Sequence, residues 1–344
     1  MSATARDTMD SEENTIPTGT MTAIVCDRFG PPEQLRLQQI DKPAADADHV
    51  LVRVRAASIN PTDYYNTTGG LVITLVTRSR RPSRPVPGVD AAGVVEEVGE
   101  KVTGLQPGDE VFGICPGSFA EYALGGENLV PKPAGISFEQ AAAIPLAGIT
   151  ALQALRDRGQ LQPGQSVLIN GAAGGVGTFA VQIAKALGAD VTGVCSTRNV
   201  DLVRSLGADQ VIDYTREDFT RSGRRCDLVV DLVGNRSLTA LRRALKPAGT
   251  LVLTGGGHHR GHGVSQVRPL LLLGRGFLLS RFVDQRIVPL FLNINAEDLL
   301  TLKELVEAGK LTPVVDRIYP LSEVPEAMRY FGAGHVRGKV VITV

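Results

Sequence analysis

The chain has 344 residues, 43% of them hydrophobic, and its 36 basic and 36 acidic side chains balance to a formal charge of zero. That length suits two domains with real cores, and the balanced charge argues against nucleic acid or an anionic membrane as partner. Cys26, Cys115, Cys195 and Cys226 are too scattered for a zinc spacing or a disulfide framework, which fits a reducing, cytoplasmic compartment.

Met1 to Thr20 is polar and rich in Ser and Thr. It lacks the apolar core of a secretion signal, and Asp7, Asp10, Glu12 and Glu13 oppose a mitochondrial presequence. A disordered tail is expected. Met21 to Cys26, Leu35 to Ile40 and Val50 to Ala57 read as strands, the last by alternation of Val50, Val52 and Val54. Pro61 suits the first position of a short helix. Gly69 to Pro87 is a long loop carrying several arginines. Strands are expected at Asp90 to Val98, Glu110 to Gly113 and Gly117 to Ala123. So many short strands between glycine turns suggest a small, partly open β-barrel. Ser137 to Leu155 is helical, capped by Ser137 and broken at Pro145.

Val167 to Ile169 is a short apolar strand followed by a turn with Gly171, Gly174, Gly175 and Gly177. Val176, Ala180, Ile183, Ala184 and Leu187 then recur at helical spacing, and Gly188 stands where a C-cap belongs. A second strand runs from Asp190 to Cys195. A strand, glycine turn and helix in this order fit a dinucleotide site. Backbone N–H groups at Ala173, Gly174, Gly175, Val176 and Gly177 would then meet a pyrophosphate. Where NAD enzymes carry an acid for the ribose 2′-hydroxyl, this chain has Ser196 and Arg198, which suit a 2′-phosphate. NADPH is therefore expected over NADH.

Further strands at Gln210 to Ile212, Leu228 to Val230 and Gly249 to Leu253 alternate with helices at Val200 to Leu206 and Ser237 to Leu245. Such alternation builds an α/β, doubly wound parallel sheet of the Rossmann type. His258, His259 and His262 lie in a Gly-rich connection with no carboxylate or thiol nearby in sequence, so no metal is expected there. Pro269 to Leu273 is apolar but too short to span a bilayer. Helices at Ala296 to Ala308 and Leu321 to Tyr330 and a last strand at Lys339 to Thr343 complete the chain.

This order resembles the medium-chain dehydrogenase/reductase superfamily. Asn60-Pro61-Thr62-Asp63, Pro87-Gly88-Val89-Asp90-Ala91-Ala92-Gly93, Ile212-Asp213-Tyr214 and the closing Gly338-Lys339-Val340-Val341 are similar to its zinc-free quinone oxidoreductase branch. Cys195 to Asn199 and Gly334 to Lys339 are similar to the reticulon-4-interacting-protein group within it. The resemblance implies a GroES-like catalytic domain over residues 21–145, a Rossmann domain over 146–290 and a return to the first domain over 291–344, after a tail at 1–20. It also implies cofactor contacts from Tyr214, Asn235, Gly255 and Gly256, with Leu292 and His335, Val336 and Arg337 closing over the cofactor. Zinc-dependent members carry Cys, His and Cys where this chain has Asn60, Val89 and Leu146, which cannot form a catalytic zinc site.

The expected reaction is hydride transfer from NADPH to a quinone or an α,β-unsaturated carbonyl compound. Without zinc, the growing negative charge on the acceptor oxygen needs hydrogen-bond donors. The Asn60 amide is the candidate donor, and Tyr64 or Tyr65 the candidate proton source. Asp63 is expected to cap the turn after Pro61. The alternative is an NADP(H)-binding redox sensor or interaction protein with little catalysis. A homodimer is expected through a sheet edge at Gly249 to Leu253 or near Ile287 to Phe291.

Overall fold

The computed structural model describes residues 19–69, 81–82, 84–254 and 284–344. Most of the expected tail, most of the Gly69 to Pro87 loop and the Gly255 to Gly276 connection lie outside the described residues.

The N-terminal half is built from short strands. β1 (Thr20–Val25) and β2 (Arg36–Asp41) form an antiparallel pair. β3 (Val50–Ser58) leads into helix α1 (Pro61–Thr68), and β4 (Asp90–Val98), β5 (Glu110–Ile114), β6 (Tyr122–Gly125) and β7 (Leu129–Pro131) follow. In β3, Val52 and Val54 are buried while Arg53 and Arg55 are exposed, as a strand with one covered face requires. Around these strands lies a core that includes Ile24, Val52, Val54, Phe119, Val340 and Ile342.

Two short helices join the halves, α2 (Phe138–Ala142) and α3 (Pro145–Gln153). The Ser137 hydroxyl accepts from Gln140 N, and the Gln140 side chain accepts from Ser137 N, a reciprocal cap. Pro145 has no N–H and fixes its own φ, so it starts a new helix instead of continuing the old one.

The second half alternates strand and helix. β8 (Ser166–Asn170), α4 (Gly175–Ala186), β9 (Asp190–Cys195), α5 (Val200–Ser205), β10 (Gln210–Asp213), β11 (Cys226–Asp231), α6 (Leu238–Arg243), β12 (Leu245–Leu253) and β13 (Arg286–Pro289) follow in order. The six strands form one sheet in the order β10-β9-β8-β11-β12-β13, every pair parallel. Strand order reverses direction between β8 and β11, the crevice where open α/β sheets bind ligands. Ile169, Val230 and Val252 of this sheet are buried in one core with Phe179 and Ile183 of α4 and Leu152 of α3.

The chain then returns to the first sheet. After α7 (Ala296–Glu307), β14 (Val315–Pro320) and α8 (Val324–Gly332), β15 (Lys339–Thr343) pairs antiparallel with β3, Val341 opposite Ser58. The N-terminal sheet therefore has the order β14-β15-β3-β4-β5-β7, with β6 also on β3.

Three expectations need correction. The strand expected over Gly117 to Ala123 begins only at Tyr122, because Gly117 turns the chain at φ +90° and Ala120 makes a single bridge to Ala23. β7 and β14 were not expected. The first has three residues, and the second exposes Arg317 and Ile318, so neither carries a clear apolar alternation. Gly249 to Leu253 is not a sheet edge, since β12 lies between β11 and β13.

Candidate cofactor and acceptor site

The glycine turn leaves the carboxyl end of β8 at the switch point. Gly171 takes φ +93°, which a residue with a Cβ rarely adopts. A Cβ on Gly177 would stand 2.1 Å from Gly171 O, so α4 meets its strand as closely as backbone allows. Gly174 is different. Its φ of −83° is ordinary, and a Cβ there would meet only Gly171 O, at 3.5 Å. The fold does not need a glycine at 174, yet the space above it is open. Gly174 is the N-cap of α4, so the unpaired N–H groups of the first helical turn surround that space. A pyrophosphate fits such a cradle. Ala173 is buried, and its carbonyl accepts from Gly338 N at 2.9 Å; Val176 is half-buried.

At the end of β9, Ser196 is 9% exposed and Arg198 is exposed. Asn199 Nδ2 lies 3.3 Å from Ser196 Oγ. Tyr214 N donates to Cys195 O at 3.0 Å, which brings the half-buried Tyr214 beside Ser196. Asp213 belongs to the neighbouring strand, not to β9. Its carboxylate accepts from Thr197 Oγ1 at 2.6 Å and from Thr215, which brace the turn and hold its pKa below the usual range. Arg198 Nη2 donates to His335 O at 2.6 Å. The expected 2′-phosphate group and the segment expected to close over the cofactor are thus brought together. Val336 is half-buried, and Arg337 N donates to Asp316 at 2.9 Å.

Across the switch point, Asn170 Nδ2 donates to Asp231 Oδ1 at 2.8 Å and lies 3.2 Å from Asn235 Oδ1. The same Asp231 oxygen accepts from Val233 N and Gly234 N. This network fixes the loop that carries Asn235, and sequence reading found neither Asn170 nor Asp231. Leu292 is 36% exposed beside Phe291 at 67%. Gly255 and Gly256 lie outside the described residues.

The acceptor-side expectation for Asn60 is corrected. Asn60 is 2% exposed. Its Nδ2 donates to Asp90 Oδ2 at 2.9 Å and lies 3.4 Å from Ser58 O, while its Oδ1 accepts from Lys339 Nζ at 2.6 Å. An amide with its donors directed at buried protein acceptors has none to offer an acceptor oxygen. Asp63 does cap the turn, accepting from Asn60 N at 2.8 Å. The Tyr64 ring packs on Phe331, and Tyr65 is half-buried, its phenol pushed up to about 12 by burial.

Asn60 belongs to a buried charged cluster that the sequence did not reveal. Asp90 is fully buried and accepts from Ser58 Oγ, Asn60 Nδ2 and Leu146 N, with Lys339 Nζ 3.5 Å away. Lys339 also donates to Ile59 O at 3.1 Å. Three acceptors around Nζ match the three N–H donors of an ammonium, and donors on every side of Asp90 match a carboxylate. Burial still opposes charge here, pushing Asp63 up to about 7, raising Asp90 and lowering Lys339. Asn60 and Leu146, two of the positions that hold metal ligands in zinc-dependent members, are joined through Asp90. The only signal for this cluster was a lysine opening an otherwise apolar closing strand.

Known proteins share this architecture. Residues 46–142 match the family model of an alcohol dehydrogenase GroES-like domain, and residues 206–342 that of a zinc-binding dehydrogenase. The chain is 36% identical to the NAD(P)H oxidoreductase RTN4IP1, mitochondrial, of Mus musculus, over 94% of this chain and 89% of that protein. It is also 36% identical to an NADPH-dependent alkenal/one oxidoreductase, chloroplastic, of Arabidopsis thaliana, over 94% of this chain and 79% of that protein. The solved structure of a quinone oxidoreductase from Coxiella burnetii superposes with a TM-score of 0.82 at 35% identity, covering 95% of this chain and all of that one. Likeness at this level, over almost the whole length and on both sheets, makes the chain a member of the medium-chain dehydrogenase/reductase superfamily, an oxidoreductase of its quinone oxidoreductase branch that works with a pyridine nucleotide.

Proposed function

We infer that the chain is a zinc-independent, NADPH-dependent oxidoreductase whose acceptor is a quinone or an α,β-unsaturated carbonyl compound. The observation that carries the reading is the end of β9. There a buried Ser196 and an exposed Arg198 occupy the place of the acid that NAD enzymes use, beside a glycine cradle that a Cβ at Gly174 would fill. Two relatives whose names specify reduction of an alkenal/one or a furanone support the acceptor class.

In this reading, bound NADPH supplies the hydride, and the protein supplies place and charge. Gly174 to Gly177 would line the pyrophosphate, with N–H groups of the first turn of α4 as its donors. Ser196, Arg198 and Tyr214 bind the adenosine 2′-phosphate. Asn235 would border the cofactor at the switch point, and Leu292 with His335 to Arg337 would close over it. Reduction of an enone or quinone also requires a proton. Tyr65 is the donor we assign, because the Tyr64 ring packs on Phe331 with its hydroxyl against Gly332 of α8. Asn60 serves the site by holding α1 in place rather than by donating to the acceptor.

The zinc-independent part rests on Asn60, Val89 and Leu146, whose side chains are poor or impossible zinc ligands. The names of the two relatives given above place them in mitochondria and chloroplasts. For this chain we propose the cytoplasm as the compartment, and its four free, buried cysteines fit any reducing one. Among the described residues no helix is long and apolar enough to cross a membrane.

The experiment is NADPH oxidation by the purified chain against a panel of quinones, enals and enones, with NADH in parallel, together with metal analysis. Turnover of at least one acceptor class with NADPH preferred is expected. Binding of NADPH without turnover of any acceptor would replace the reading with that of a cofactor-binding sensor. One tightly held zinc per chain would remove the zinc-independent part.

A further inference from the structure

Lys339 reaches from one half of the site to the other. Its stem runs beneath the cofactor turn, with Cδ 3.1 Å from the place a Cβ on Gly175 would take. The residue before it, Gly338, bridges Gly174 and donates its N–H to Ala173 O at 2.9 Å. Its ammonium ends on the other side of the cleft, against Asn60 Oδ1 at 2.6 Å, Ile59 O at 3.1 Å and Asp90 Oδ2 at 3.5 Å. Asn60 and Ile59 are the last residues before α1, the helix that carries Tyr64 and Tyr65.

Stability alone does not call for this arrangement. Lys339 is 3% exposed and Asp90 is fully buried. Taking two charges out of water is costly, and apolar residues of the same volume often serve the fold as well or better. A buried ion pair does supply direction. Two N–H bonds, to Asn60 Oδ1 and Ile59 O, and the ion pair with Asp90 fix the position of Nζ relative to the start of α1, which an apolar side chain would leave to packing alone.

We propose that Lys339 is a positioning residue, a strut whose stem supports the cofactor turn at Gly175 and whose ammonium fixes the Asn60 end of α1. Cofactor and proton donor are thereby held at one spacing. The proposal rests on the reading of the chain as an NADPH-dependent reductase. It assigns the two ends of one side chain to different kinetic quantities. The head governs the chemical step, because a misplacement of ~1 Å costs on the order of a hundredfold in rate. The stem governs cofactor affinity.

The test uses charge-balanced variants, so that no buried charge is left alone. Lys339→Met with Asp90→Asn removes the head and keeps a stem. It should bind NADPH, followed by its fluorescence, within about threefold of the wild type, while kcat at saturating NADPH falls by at least about tenfold. Lys339→Ala with Asp90→Asn removes both, and NADPH binding should then weaken by about tenfold or more as well. Melting temperatures are measured alongside. Folded variants with wild-type affinity and wild-type kcat would overturn the proposal, as would equal loss of affinity in both. If neither folds, Lys339→Arg decides, since it keeps the charge and the stem but replaces a point donor by a planar fork. Unchanged kcat in that variant would overturn the proposal, and a lower kcat with retained affinity supports it. A wild-type chain that binds NADPH but reduces nothing fails the functional reading alone, because the affinity arm can still be measured.

Discussion

The guanidinium of Arg198 donates to the main-chain carbonyl of His335 at 2.6 Å. This bond ties the end of β9 to the segment between α8 and β15. Arg198 is exposed, so the bond is weak alone. Losing a hydrogen bond to a charged group typically costs about 1.5–3 kcal/mol, or roughly ten- to hundred-fold in affinity. Arg198→Ala is expected to weaken NADPH binding by that order and to leave NADH nearly unchanged, as titration with each cofactor will show. Rising salt should weaken NADPH more than NADH. Equal loss for both cofactors would mean that the His335 bond, and not the phosphate, is what Arg198 serves.

Gly174 and Gly177 separate binding from folding. A Cβ at 174 meets only Gly171 O at 3.5 Å, whereas a Cβ at 177 would stand 2.1 Å from the same oxygen and 2.7 Å from Ala172 C. Gly174→Ala should therefore keep its melting temperature while losing NADPH affinity, because the methyl occupies the cradle. Gly177→Ala should lower the melting temperature, because backbone on both sides must move. A Gly174→Ala chain with unchanged affinity would place the pyrophosphate elsewhere.

Asp63 makes stability depend on pH. Burial carries its pKa from the ordinary 3.8 up to about 7. Between those values the folded chain keeps a proton that the unfolded chain has lost. Stability from this group thus falls as pH rises from about 4 to about 7, by at most about 1.4 kcal/mol per pH unit, and is level above that. Asp63→Asn keeps an acceptor for Asn60 N and removes the titration. Urea midpoints across this range should flatten in the variant, and an unchanged slope would assign the dependence to another group.

Tyr65 and Tyr64 should differ in kinetics. Tyr65→Phe removes the assigned proton donor and should lower kcat, with NADPH affinity retained. Tyr64→Phe keeps the ring that packs on Phe331 and should leave kcat within about twofold. Steady-state rates with one enone and one quinone test both. A larger effect at Tyr64 would exchange their roles.

The sheet edge bears on assembly. Among the described residues β13 ends the parallel sheet, followed by Phe291 at 67% exposure and Leu292 at 36%. An apolar edge of this kind favours pairing with a second copy. A homodimer is expected in light scattering at micromolar concentration, and Phe291→Glu should shift it toward monomer. A wild-type monomer would refute the pairing.

Much of this molecule was readable from local signals. The glycine turn, the Ser137 cap, the break at Pro145 and the parallel strands each depend on neighbours a few residues apart, where spacing carries the information. The same locality gave Ser196 and Arg198, because the second strand of a dinucleotide unit ends at a fixed distance from its turn. The acceptor side was different. Asn60 was expected to face the acceptor, and the fold instead turns its amide to Asp90, 30 residues on, and to Lys339, 279 residues on. The Asp90 contact follows from β4 pairing with β3, and the Lys339 contact from β15 returning to pair with β3. The sequence by itself determined the strand, glycine turn and helix of the dinucleotide unit, since they are written into one continuous segment, whereas the ties from Asn170 to Asp231 and from Arg198 to His335 come from the fold. Only the tertiary structure decided the acceptor half, since a buried charge takes its partners from whichever distant strands enclose it, and no local pattern records that choice.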